Sequence, residues 1–264
     1  MNARIAVGVQ DGAGRPVAEV MATARALGAD GVELNAAHWS DDESPFEAWC
    51  AENVAMIREV GLGWAGLNLP DLDGGHENGR PETVSRLCEA IAAVGRCGAP
   101  AINLAFGPRN EFSIETACRC TARLLAVAAT ARVRLRVTNR LGSRLEQIED
   151  VRRIVASLRH PLLGLRLDAG QFHAAAANPR DIIAEFGDLT DAIVLSDRIG
   201  RREVPIGTGR VNLAGLVADA QRAGYDGWFV VHVDPDGGGD SSTQHDPVEL
   251  VRRLWSEALR QNSQ

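Results

Sequence analysis

Three short apolar runs in the last third of the chain each reach a polar group. Leu165-Arg-Leu-Asp-Ala-Gly170 carries Asp168, Ala192-Ile-Val-Leu-Ser-Asp-Arg198 carries Asp197, and Trp228-Phe-Val-Val-His-Val233 carries His232. A carboxylate and an imidazole at strand ends can make a general acid–base pair, because an imidazole with a pKa of about 6.5 exchanges protons at neutral pH. Asp168 and His232 are therefore the leading catalytic candidates. Each has a plainer alternative. His232 could be a core imidazole with its hydrogen bonds satisfied, and Asp168 could cap the helix that follows it.

Other polar residues fall where apolar runs stop: Gln10 and Asp11, Glu33, Asn35 and His38, Asn68, Asn103 and Arg109, Asn139 and Arg140, and Arg198 beside Asp197. With Gln171 and His173 they form an inventory of amides, acids and arginines suited to a hydroxylated or carboxylated small molecule. The expected substrate-binding residues are Glu33, His38, Asn103, Arg109, Asn139, Gln171, His173, Asp197 and Arg198. Plainer alternatives exist here too. Glu33 could accept hydrogen bonds from neighbouring strand ends, and Asp197 with Arg198 could be an internal salt bridge holding a loop. His76, His160 and His245 read as loop residues.

Strand and helix patterns alternate along the whole chain. Strands are predicted at 5–9, 31–34, 62–68, 101–105, 134–137, 164–167, 192–195 and 228–231, with helices at 16–26, 46–59, 82–97, 114–130, 144–158, 179–186, 212–223 and 247–259. Gly28-Ala-Asp-Gly31 and Gly224-Tyr-Asp-Gly227 recur as helix-to-strand turns in which glycine supplies the left-handed stop. Eight βα units predict an α/β fold: a single (β/α)₈ barrel over residues 1–264, with its site at the C-terminal ends of the strands.

Composition narrows the chemistry. The 264 residues carry a net charge of −7, which argues against nonspecific nucleic-acid binding. The chain contains no lysine, and its 28 basic residues are all arginine, so Schiff-base chemistry and lysine-anchored pyridoxal phosphate are excluded. No run of 18 apolar residues suggests a membrane span, and Met1-Asn-Ala-Arg-Ile-Ala-Val is too short for a signal peptide. Five cysteines without CxxC spacing read as free thiols, and the expected location is cytoplasmic.

The stretch from about Val133 to Val233 resembles the xylose-isomerase-like superfamily of sugar and sugar-phosphate isomerases and epimerases. The resemblance implies a divalent metal at the barrel mouth, held by a Glu ending strand 5, an Asp ending strand 6, a His ending strand 7 and a Glu ending strand 8. The two glutamates move the protons. Carried over position by position, the first Glu falls at Thr138, beside Asn139. The Asp is kept as Asp168, the His falls at Val194 and the second Glu at His232. A histidine frequent three residues beyond the Asp is Gln171 here. Two of the replacements, threonine and valine, offer no charged donor, so the family metal is not expected.

The resulting expectation is a metal-independent isomerase-, epimerase- or lyase-type enzyme. It would act by acid–base catalysis on a small polyhydroxy or carbonyl compound, without nucleic-acid or membrane partners. A homo-oligomer is compatible with the sequence. Two alternatives stand beside it: an enzyme whose Asp168, His232 and His173 rebuild a nonstandard metal site, and a noncatalytic binding or scaffold barrel.

Overall fold

A computed structural model of the chain describes residues 2–9, 16–36, 45–72, 81–111, 113–233 and 246–262. The elements follow in the order β1 (Arg4–Val9), α1 (Val17–Ala26), β2 (Gly31–Asn35), α2 (Phe46–Glu59), β3 (Gly63–Asn68), α3 (Pro81–Cys97), β4 (Ala101–Leu104), α4 (Ile114–Ala131), β5 (Arg134–Thr138) and α5 (Ile148–Leu158). They continue with β6 (Leu163–Asp168), α6 (Ala169–Ala174), α7 (Pro179–Phe186), β7 (Thr190–Val194), β8 (Asp197–Ile199), β9 (Arg202–Val204), α8 (Leu213–Arg222), β10 (Trp228–Val233) and α9 (Pro247–Asn262). Strands β1 to β7 and β10 close into a parallel barrel in which β10 pairs with both β7 and β1. Strands β8 and β9 form a separate antiparallel hairpin beyond the end of β7. The fold is a (β/α)₈ barrel.

Alternation along each strand decides what faces the barrel interior. In β10, Phe229 and Val231 join the large core between strands and helices, while Trp228 and Val230 join a second apolar cluster with Ala6, Ala65, Ala192 and Val194. In β6, Leu163, Leu165 and Leu167 belong to the outer core, which leaves Gly164, Arg166 and Asp168 on the opposite face. This period-two pattern carries polar residues up the inside of otherwise apolar strands.

The N-terminal end of the barrel is closed by Trp228. A side chain at Gly31 would sit 2.7 Å from the indole, so glycine is needed for the ring to lie there. The Arg4 guanidinium stacks 4.0 Å from the centre of the same ring. Arg134 donates to Asp191 at 2.7 Å, tying β5 to β7 from inside. Gly28 and Gly224 have φ of +66° and +73°, in keeping with the helix stops read from the sequence.

The structure departs locally from the predicted elements. Helix α5 starts at Ile148 rather than 144, because Gln147 and Asp150 form a capping box that fixes its first turn. The short α6 and the β8–β9 hairpin lie outside the strands and helices predicted from the sequence. Among the described residues, no helix is long and apolar enough to cross a membrane.

Candidate functional site

The centre of the barrel mouth is an ion pair. Glu33 on β2 is 1% exposed, and Arg166 on β6 reaches across to it, with Nε donating to Oε2 at 2.9 Å and Nη2 to Oε1 at 2.5 Å. Asn103 on β4 donates to Glu33 Oε2 at 2.9 Å and to Asn68 Oδ1 at 2.8 Å, and Asn68 donates to Glu33 Oε1 at 3.3 Å. Arg166 Nη1 donates to Thr138 Oγ1 at 3.2 Å, and Nη2 lies 3.4 Å from His232 Nε2. Residues from β2, β3, β4, β5, β6 and β10 thus share one polar network.

Two influences oppose each other at the Glu33 carboxyl. Burial raises its pKa, but the Arg166 charge and hydrogen bonds, with the Asn68 amide, outweigh burial and hold it below its ordinary value of 4.5. Glu33 is therefore a fixed anion rather than a proton carrier at neutral pH.

Asp168 ends β6 and is 5% exposed. Its Oδ1 accepts the Gln171 amide at 3.0 Å, capping α6, and also the Ser196 hydroxyl. Among the described residues no hydrogen bond reaches Oδ2. His232, half-buried near the end of β10, has Arg166 at Nε2 rather than the carboxylate expected from the sequence. The reason is positional. Arg166 stands two residues before Asp168, on the same face of β6, and its longer side chain passes His232 to reach Glu33.

The remaining candidates separate into the centre and its frame. Asn103 belongs to the central network. Asn139 extends the β5–β6 pairing: its Oδ1 accepts the Asp168 amide at 2.7 Å and its Nδ2 donates to the Asp168 carbonyl at 3.0 Å. Gln171 Oε1 accepts the Leu141 amide at 3.1 Å, which braces the loop after β5. Arg109 pairs with Asp150 at the start of α5. His173 lies partly exposed on α6.

Asp197 and Arg198 do not form a mutual salt bridge. The buried Asp197 carboxylate gathers the backbone amides of Arg198, Gly207, Gly209 and Val211, while the Arg198 guanidinium pairs with Glu203 and the Arg201 carbonyl. Together they hold the loop beyond β7 in one shape. His38, Gln10, Asp11, His76 and His245 lie outside the described residues.

Sequence reasoning missed Arg166 and Ser196 as members of the site. Arg166 stands inside an otherwise apolar strand, and its spacing of two from Asp168 puts both side chains on one face.

The four positions that the family resemblance assigns to a metal do not fit a divalent ion. Val194 has no donor atom, Thr138 Oγ1 and Asp168 Oδ1 already accept hydrogen bonds, and the Arg166 cation stands beside His232. Among the described residues, no group of three His, Cys, Asp or Glu is placed so that it could hold a metal ion.

The model of the xylose isomerase-like TIM barrel family matches residues 21–254, and the chain belongs to that family. Solved structures with the same fold include an L-ribulose 3-epimerase, 15% identical with a TM-score of 0.76, covering 99% of this chain and 97% of that one. A D-tagatose 3-epimerase-like protein is 15% identical with a TM-score of 0.74, covering 98% and 97%. The probable 3-DHS dehydratase AsbF of petrobactin synthesis from Bacillus anthracis is 12% identical with a TM-score of 0.71, covering 96% and 97%. At such identities the likeness is one of fold. No protein of curated function matches the sequence.

Proposed function

We propose that this barrel is an isomerase-, epimerase- or lyase-type enzyme that moves a proton on a small polyhydroxy or carbonyl compound without a divalent metal. The observation that carries this reading is the Glu33–Arg166–His232 network at the mouth, where a fixed guanidinium lies among the positions that the family resemblance gives to metal ligands. Proton removal beside a carbonyl places negative charge on the carbonyl oxygen. An oriented cation and oriented donors in a partly dry site stabilise that charge. Arg166 supplies the cation. His232 and Asp168 are the pair that handles the substrate, since Asp168 keeps Oδ2 free of hydrogen bonds among the described residues. Family membership and the epimerases and dehydratase among its structural neighbours support this class of chemistry.

The test is hydrogen exchange in D₂O across a panel of ketoses and small keto acids, followed by NMR. Wild-type protein should exchange the hydrogen next to the carbonyl of at least one compound. His232→Asn should slow that exchange by roughly 10²–10⁴-fold while leaving affinity within a few-fold. Binding without exchange throughout the panel would favour a noncatalytic barrel. Exchange unchanged in His232→Asn would remove His232 from the chemistry.

A further inference from the structure

The contact between Arg166 and His232 fixes more than a distance. A guanidinium has only N–H donors and keeps its proton throughout the pH range of a folded protein. The imidazole nitrogen facing it, Nε2 at 3.4 Å from Nη2, therefore accepts. A neutral imidazole has one ring proton, which must then sit on Nδ1. This is opposite to the tautomer that histidine prefers in water.

Arg166 is held in place to do this. Both Glu33 oxygens and Thr138 Oγ1 accept from it, and Glu33 is itself fixed by Asn68 and Asn103. Gly8 on β1 pairs in register with Glu33 on one side and with His232 on the other. A side chain at Gly8 would lie 3.3 Å from His232 Cδ2 and 3.5 Å from Glu33 Cβ, so its absence leaves the two groups close across the strand.

We propose that Arg166 is a positioning residue that locks His232 as the Nδ1–H tautomer, so that His232 acts as a neutral hydrogen-bond donor to a substrate carbonyl oxygen and Asp168 is the base. The assignment rests on the proton-transfer reading above and divides its roles. The C–H bond beside the carbonyl breaks, and the proton passes to Asp168 Oδ2. The electron pair moves onto the carbonyl oxygen, where His232 Nδ1–H and the Arg166 charge stabilise it. Return of the proton to carbon completes the cycle with no other reactant. A neutral imidazole is suited to this task, because it polarises a carbonyl without itself losing a proton.

The experiment is long-range ¹H–¹⁵N correlation NMR of the ring nitrogens at a pH where the histidines are neutral, with His232 assigned by comparison with His232→Asn. Wild-type protein should show His232 as Nδ1–H. The double variant Glu33→Gln/Arg166→Met, which removes both charges together, should return it to Nε2–H. An Nε2–H or doubly protonated ring in the wild type would overturn the proposal whatever the double variant shows. So would an Nδ1–H ring that persists in the folded double variant. Failure of the proton-transfer reading would appear separately, as an Nδ1–H tautomer in a protein that exchanges no substrate hydrogen.

Discussion

The floor and the mouth of the barrel both place charged side chains inside a ring of strands, with different partners. At the floor, Arg4 lies on the Trp228 ring, and Arg134 with Asp191 ties neighbouring parts of the wall. Arg136 reaches the Ala65 carbonyl at 2.5 Å, and burial pulls its pKa down. These contacts fasten wall to wall. At the mouth, Glu33 and Arg166 satisfy each other from opposite sides of the barrel, and the arginine also meets half-buried His232. Conserving strand closure explains the first set. The second set gathers polar groups at the C-terminal end, where (β/α)₈ barrels build their sites.

Substitutions can break that comparison. The largest effect is expected from Trp228→Ala, which empties the floor and should destabilise the protein by about 3–5 kcal/mol in a denaturant titration, as large-to-small changes at buried aromatics do. Arg166→Met should follow, at about 3 kcal/mol or more, because Glu33 is left buried and charged without its partner. Adding Glu33→Gln should restore a large part of this loss. If the double variant is no more stable than Arg166→Met alone, the two side chains are not coupled as described.

A smaller effect is expected outside the barrel. Asp197→Asn weakens the four amide contacts that hold the loop after β7 and should lower stability by about 1–3 kcal/mol. Hydrogen exchange at Gly207, Gly209 and Val211 should accelerate more than in the barrel strands. Acid sensitivity completes the set. The Glu33 carboxyl has a lower pKa folded than unfolded, so its contribution is present above its ordinary value of 4.5 and is lost as pH falls through the lower folded value. Comparing wild type with Glu33→Gln/Arg166→Met across acid pH should show the wild type losing stability more steeply as pH falls from 4.5 to the lower folded value, and no more steeply beyond it.

The comparison also shows what the sequence could reveal. Alternation and glycine stops made the eight-stranded barrel legible, because side-chain period and helix termination are local properties. The short α6 was hidden because Ala169-Gly-Gln-Phe-His-Ala174 has glycine inside it and too few residues for a helical period to stand out. Asp168 and His232 were legible as polar residues at strand ends. Arg166 was not, because its role depends on Glu33, 133 residues away in the chain. The partner of His232 was misjudged for the same reason: a side chain long enough to cross the barrel can displace the nearest carboxylate as a neighbour.

The central claim is that the mouth handles protons without a divalent ion. Metal content by mass spectrometry, on protein purified without affinity-tag metal or chelator, tests it most directly when combined with D₂O exchange before and after chelation. The account predicts substoichiometric metal and exchange that chelation leaves unchanged. A stoichiometric ion, with exchange abolished by chelation and restored by adding that ion, would contradict it.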